Sequence, residues 1–167
     1  MSGRWPLVAD ANVLIDYLTC ERKILALASG HFGKVLVPVP VFEEVEILTD
    51  ALCHQLSLDQ VLPSTAQLLE AATAAIRSPL SFTDHLCHLV ARDSGGICVT
   101  NDKRLRRACE ESGVPLLWGL ELMLELFGAG HLSLTEAESI AWRVHQENTF
   151  VTRDLVLRFC ARLQEGG

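Results

Sequence analysis

The stretch GGICVTNDKRLRRACEESG, residues 95–113, contains a complete strand-to-helix unit. A Gly-Gly turn precedes the apolar, β-branched run GICVT (96–100), which predicts a buried strand. Asp102 follows this run, and residues 103–112 then show the spacing of apolar side chains that is typical of a helix. A buried strand followed directly by a helix is the repeating unit of α/β folds with a parallel sheet.

The same alternation runs through most of the chain. Short apolar runs at 5–9 and 34–39 are further strand candidates, and 60–62 and 115–118 are weaker ones. Helical patterns cover 13–18, 41–52, 65–76, 82–92, 103–112, 120–127, 133–146 and 153–163. The helix at 133–146 opens with Ser-Leu-Thr-Glu, a capping box. These patterns predict an α/β protein in which helices cover both faces of a parallel sheet.

Composition excludes several classes of protein. The 167 residues fit one domain, and 49% hydrophobic with 21% charged residues excludes disordered, collagen-like and coiled-coil chains. No apolar run approaches the ~18 uncharged residues of a membrane span. The apolar segment after Arg4 is interrupted by Asp10, so it is too short to form the hydrophobic core of a secretion signal. We therefore expect a cytoplasmic protein without membrane contact. Its six cysteines are scattered singly, which indicates reduced core residues.

Charge is distributed unevenly along the chain. The net charge is −7, and residues 35–76 contain six acids and no lysine or arginine. Four of the fourteen basic residues lie together at the start of one predicted helix, as Lys103, Arg104, Arg106 and Arg107. We expect this run to contact the phosphate backbone of RNA. A solvated helix face is the alternative interpretation.

Acidic side chains follow three predicted strands. Asp10 follows the first strand, Glu43 and Glu44 follow the second by a helical turn, and Asp102 follows 96–100. Asp84 lies near the start of the helix at 82–92. Because ligands bind at the carboxyl ends of parallel strands, we expect these acids to lie close together. Clustered carboxylates repel each other, and a hard cation such as Mg²⁺ relieves the repulsion. Two such ions would activate a water and stabilise the leaving oxygen of a phosphodiester.

Each acid also has a purely structural interpretation. Asp10 and Asp102 are followed by helices and could cap them, and Asp84 could complement a helix dipole. Glu43 and Glu44 could be solvated. A zinc site is conceivable from His85, His88 and Cys87, with Cys53 and His54 elsewhere, but no closed ligand set emerges.

Four stretches resemble, in order and spacing, the motif blocks of PIN domains. They are VADANVLIDYL (8–18), VPVPVFEEV (37–45), SFTDHLCHLVA (81–91) and VTNDKRLRRACEESGVPLL (99–117). The resemblance covers about residues 5–130 and is strongest to small prokaryotic PIN proteins, including the VapC-like ribonuclease toxins. It implies a three-layer α/β/α fold with a central parallel sheet of about five strands. The implied division is a PIN-like catalytic domain at 1–130 and a C-terminal helical extension at 131–167, packed on the same domain or on a partner.

The resemblance also implies roles for individual residues. The catalytic and metal-binding acids fall on Asp10, Glu44, Asp84 and Asp102. Glu44 is preferred to Glu43 because it occupies the Glu of the family's Val-x-x-Glu-Val pattern. Asn12 and Thr100 are implied as supporting residues, an amide that orients the first acid and a hydroxyl before the last. The chain departs from many relatives at Trp118-Gly119-Leu120, where they have a Gly-Thr turn.

The leading hypothesis is an endoribonuclease that depends on Mg²⁺ or Mn²⁺ and acts on RNA. Membership of a toxin–antitoxin pair, with an antitoxin protein as partner, and a homodimer are further expectations from the resemblance. The alternative is a non-catalytic PIN-fold module that binds RNA or a protein. A receiver-like phosphoacceptor domain would need paired carboxylates after the first strand and a lysine after a late one, and neither is evident.

Overall fold

The computed structural model describes residues 4–166. Residues 1–3 and 167, which the predicted domain bounds include, lie outside the described residues. Five strands are present, β1 (Leu7–Ala9), β2 (Val35–Pro38), β3 (Leu58–Val61), β4 (Ile97–Val99) and β5 (Leu116–Leu117). The described residues form ten helices: α1 (Ala11–Cys20), α2 (Lys23–Phe32), α3 (Val39–Glu44), α4 (Asp50–Leu56), α5 (Thr65–Arg77), α6 (Phe82–Ser94), α7 (Lys103–Ser112), α8 (Gly119–Gly128), α9 (Leu134–Glu147) and α10 (Arg153–Glu165).

The strands form one parallel sheet in the order β3-β2-β1-β4-β5. Helices flank it in two groups, with α2 packed on α1, α4 and α8, and α6 packed on α5 and α7. The predicted three-layer α/β/α fold is confirmed. The strand order reverses between β1 and β4, and open α/β sheets bind ligands outside the carboxyl ends of the strands at such a point. Asp10 and Asp102 follow these two strands.

The structure differs from the predicted elements in two places. Helix α2 was not predicted, because its side chains are apolar around most of its circumference and no side chain caps its start. The single helix predicted at 41–52 is instead α3 and α4, separated by residues 45–49. Val45 and Leu48 are buried in this connection, and Thr49 caps the start of α4 through a bond from Leu52 N–H. The backbone leaves the helical conformation at Val45 and is extended at Thr49, so the two helices are separate.

The core extends from the sheet into the C-terminal helices. Ile140 and Val144 of α9 and Val156 and Phe159 of α10 are buried in the same cluster as the strands. Helix α9 packs on α1, and α10 packs on α8 and α9. No helix within residues 4–166 has the length and apolar character needed to cross a membrane. All six cysteines are free thiols, and only Cys160 is not fully buried.

Candidate active site

Asp10 is a buried carboxylate held between the two strands at the point where the strand order reverses. Its side chain is 2% exposed. Its N–H donates to the Val99 carbonyl of β4 at 3.1 Å, and its Oδ1 accepts from Val13 N–H at 2.9 Å, which caps α1. Its Oδ2 accepts a hydrogen bond from the Thr100 hydroxyl. Both carboxylate oxygens are therefore fixed in position.

The environment of Asp10 disfavours its negative charge. Its pKa is raised from 3.8 to about 6, chiefly by burial and to a smaller extent by the negative charges of Asp84 and Asp102. The hydrogen bonds from Thr100 and Val13 lower it, but by less than burial raises it. Asp84 and Asp102, predicted from separate elements, are thus close enough to interact electrostatically with Asp10.

Thr100 connects Asp10 to Asp102. The Thr100 side chain is fully buried, and its Oγ1 accepts from Asp102 N–H at 3.0 Å while its hydroxyl donates to Asp10. Asp102 Oδ1 in turn accepts from the N–H groups of Arg104 at 2.7 Å and Leu105 at 3.2 Å, which caps α7. One threonine hydroxyl therefore sets the relative position of two candidate catalytic acids.

Asp84 and Glu44 lie around the buried thiol of Cys87. Asp84 forms a capping box at the start of α6, where its Oδ2 accepts from Ser81 N–H at 3.2 Å. Glu44 is exposed at the last residue of α3. Burial raises the pKa of the Cys87 thiol well above 9, and the charges of Asp10, Asp84 and Glu44 contribute further. Cys87 Sγ lies 3.9 Å from the Ala9 carbonyl, so these charges surround the carboxyl end of β1.

The structural interpretations of the aspartates are confirmed. Asp10, Asp84 and Asp102 each accept a backbone N–H at a helix start. Within residues 4–166, no group of three or more His, Cys, Asp or Glu side chains is arranged to hold a metal ion. Oδ2 of Asp84 and Oδ1 of Asp102 take part in caps, which leaves the other oxygen of each carboxylate free of such bonds. Their oxygen donors nevertheless match the chemistry that Mg²⁺ and Mn²⁺ prefer.

The other predicted site residues have different environments. Asn12 is exposed in the first turn of α1. Two of the conceivable zinc ligands are engaged elsewhere, since His88 Nε2 lies 2.6 Å from Ser112 Oγ and Cys87 contacts the Ala9 carbonyl, whereas His85 Nε2 is buried without a hydrogen-bond partner. Sequence analysis missed Asn101, whose Oδ1 accepts from Gly119 N–H at 2.9 Å. Its place between Thr100 and Asp102 in VTND was the available signal.

The basic run divides into two parts. Lys103, Arg104 and Arg107 are exposed, and Arg107 Nε pairs with Glu111 at 2.8 Å. The Arg106 guanidinium instead lies 3.3 Å from the centre of the Trp118 ring, and burial lowers its pKa. Arg106 Nε is buried without a hydrogen-bond partner. Arg106 therefore packs toward the end of β5, and the other three side chains face solvent.

Comparison with protein-family models, curated proteins and solved structures finds no match to this chain. A function for this chain is therefore inferred from the residues of the site.

Proposed function

We propose that the chain is a divalent-metal-dependent endoribonuclease of the PIN type. The observation that carries the proposal is the buried Asp10 carboxylate, 2% exposed, with a pKa raised to about 6 and two further acids close enough to raise it. A cap alone does not require this arrangement, because serine or asparagine caps a helix without burying a charge. A buried acid with a perturbed pKa at the carboxyl edge of an α/β sheet is a typical sign of a functional site.

Asp10, Glu44, Asp84 and Asp102 would hold Mg²⁺ or Mn²⁺. When bound, the ion would supply an activated water and stabilise the leaving oxygen of a phosphodiester. Thr100 positions Asp10 and Asp102 relative to each other through its two hydrogen bonds. Three exposed basic side chains beside Asp102 would attract the phosphate backbone, which offsets the net charge of −7 locally.

The PIN resemblance extends the proposal to a toxin with a protein antitoxin and to a homodimer. Exposed apolar side chains support a protein contact on the surface of α5: Leu69 is 68% exposed and Ile76 is 84% exposed, with Leu62 just before the helix at 82%. Sedimentation of the wild type and of Ile76→Glu would test this part. A wild-type dimer that dissociates in the variant supports it, and a monomeric wild type contradicts the homodimer.

A non-catalytic PIN-fold module that binds RNA or a protein is the second candidate. One observation favours it, namely that no three candidate ligands within residues 4–166 form a metal site as they stand. Such a module would bind RNA and leave it intact in the presence of Mg²⁺ or Mn²⁺.

RNA cleavage by Asp10→Asn and Asp16→Asn distinguishes the two candidates. Asp16 is a matched control because it is also buried, its pKa is also raised to about 6 by burial, and its carboxylate accepts from Asn148 Nδ2 rather than Thr100. We expect Mn²⁺-dependent cleavage of single-stranded RNA by the wild type and Asp16→Asn, and none by Asp10→Asn. Equal cleavage by all three proteins would refute the role of Asp10, and binding without cleavage by the wild type would favour the module.

A further inference from the structure

A cavity of about 300 Å³ lies between the end of β5, helix α8 and the C-terminal helix α10. Its walls combine aromatic rings, an amide and guanidinium groups. The lining includes Asn101, Trp118, Phe150, Phe159, Arg158 and Arg162. Its volume is at the lower end of the ~300–1,000 Å³ typical of small-molecule sites, which suits one small planar group.

The cavity is next to the candidate active site. Asn101, in its wall, directly precedes Asp102, and Trp118 follows the strand that pairs with β4. The bond from Gly119 N–H to Asn101 Oδ1 joins these two parts of the wall, and the amide Nδ2 of Asn101 is left for a ligand. A Cβ at Gly119 would lie 2.9 Å from Asn101 Nδ2, so a larger residue there would force the Asn101 amide to move. The sheet edge that carries the acids thus continues directly into the cavity wall.

The lining combines four aliphatic side chains and the Glu121 carboxylate with the aromatic and guanidinium groups that a nucleotide could use. Phe150 is 81% exposed, so it offers a free ring at the cavity, and Trp118 is stacked with Arg106 at 3.3 Å. Arg158 pairs with Asp154 at 2.9 Å and Arg162 with Glu121 at 3.4 Å. Exposed ion pairs of this kind contribute little to stability. These guanidinium groups can therefore release the carboxylate and bind a phosphate instead. Two arginines in the wall of one small cavity contrast with the net charge of −7 of the chain.

We propose that this cavity binds one unstacked base of the RNA substrate, with the adjacent phosphates held by Arg158 and Arg162. The proposal rests on the proposed nuclease function and adds a site that selects where the RNA is cut. Proteins that read single-stranded RNA stack its bases on aromatic side chains, as Trp118 and Phe150 are placed to do. The base would occupy the cavity while the neighbouring backbone reaches the acids beyond Asn101.

Binding of the four nucleoside 5′-monophosphates tests the cavity without requiring cleavage. The protein is titrated with each nucleotide and with ribose 5-phosphate while its tryptophan fluorescence is recorded. Comparison with Trp118→Phe shows which part of the fluorescence change comes from the cavity. We expect saturable binding of at least one nucleotide and no comparable binding of ribose 5-phosphate. Phe150→Ala should bind that nucleotide about 5- to 150-fold more weakly, because it loses the stacking of one base on an aromatic ring. Leu134→Ala is the control, because Leu134 is 38% exposed and does not line the cavity, and the nucleotide affinity of this variant should equal that of the wild type.

Cleavage of an RNA containing all four bases is mapped in parallel with the same variants. Altered cleavage positions in Phe150→Ala but not in Leu134→Ala support the proposal. The cavity proposal is overturned if the wild type cleaves RNA and Phe150→Ala changes neither nucleotide binding nor the cleavage positions. That result leaves the proposed nuclease function intact. Nucleotide binding that depends on Phe150, in a protein that cleaves no RNA, supports the base site and overturns the nuclease. Equal binding of ribose 5-phosphate, or binding of an amphipathic Leu/Arg peptide in place of nucleotides, overturns the base site.

Discussion

Replacing Asp10 by asparagine should stabilise the metal-free protein at neutral pH. The pKa of Asp10 is 3.8 in the unfolded chain and about 6 in the fold. As the pH rises between these values, the unfolded chain releases its proton while the fold keeps it, so the free energy of unfolding falls. The loss is complete above pH 6. At ~1.36 kcal/mol for each pH unit, it amounts to about 3 kcal/mol.

Asparagine keeps most of the structural role of Asp10. It caps helices about as well as aspartate, so the bond from Val13 N–H is retained. Its amide would donate to Thr100 Oγ1 in place of the present bond, and this rearrangement costs about 1 kcal/mol. The net gain at pH 7 is therefore about 2 kcal/mol, or ~4–8 °C in Tm for a chain of this size. Below pH 4 the gain should disappear, because the wild-type carboxyl is then neutral as well.

Urea unfolding in EDTA at several pH values from 4 to 8 measures this effect. Asp16→Asn should also flatten the pH profile, since burial raises the pKa of Asp16 to about 6. Added Mn²⁺ should stabilise the wild type and Asp16→Asn by about 2.7 kcal/mol at 100 times Kd, and Asp10→Asn by less. If Asp10→Asn is less stable than the wild type at pH 7 in EDTA, its hydrogen bonds outweigh its charge and the electrostatic reasoning is refuted.

Three further predictions concern groups around the acids. Thr100→Val removes the donor to Asp10 and leaves Asp102 N–H without its acceptor, so we expect a loss of about 2–4 kcal/mol in urea unfolding. Gly119→Ala places a Cβ 2.9 Å from the Asn101 amide and should cost about 1–3 kcal/mol by the same measurement. Arg106→Ala should lower the free energy of unfolding by about 1 kcal/mol, because it loses the stacking on Trp118. Arg107→Ala should change stability little. It should reduce the slope of log K for RNA binding against log salt concentration by about 0.7.

The outcomes that would contradict these predictions are specific. A loss below about 0.5 kcal/mol in Thr100→Val would show that Thr100 does not support the acids. Gly128→Ala is the control for Gly119→Ala, because it lies in the same helix with open space around a Cβ, and it should gain about 0.5–1 kcal/mol. Equal losses in both glycine variants would refute the close-contact argument. Equal effects of the two arginine variants on stability and on RNA binding would refute the division of the basic run.

The parts of the fold that local chemistry decides were predictable from the sequence. Helix α7 begins and ends where predicted because Asp102 caps its start and Gly113, at φ 71°, ends it in the left-handed conformation that favours glycine. The break between α3 and α4 was not predictable in this way, because residues 45–49 contain no glycine or proline, although the backbone is non-helical at Val45 and Thr49. Helix α2 was missed because it carries its own apolar surface on several sides, so no helical stripe distinguishes it.

The candidate site follows the same division. Asp10 and Asp102 could be predicted because parallel strands bring their carboxyl ends to one edge, so topology alone places whatever follows them. The link through Thr100 depends on a hydrogen bond between residues 90 positions apart in the chain, which no local pattern encodes. Arg106 was expected to contact RNA together with its neighbours, yet packing against Trp118 turns it inward.

The helix starts explain how three acids persist near one another in a metal-free fold. Each aspartate accepts backbone N–H groups at the positive end of a helix, so the dipoles of α1, α6 and α7 offset part of their mutual repulsion. Capping and metal binding are therefore not alternatives at these positions, because a cap on one carboxylate oxygen leaves lone pairs for a cation. Asparagine separates the two roles at Asp10, Asp84 and Asp102, since it retains the cap and removes the charge. If the acids are ligands, each such variant should lose cleavage without losing stability, whereas caps alone would leave cleavage unchanged.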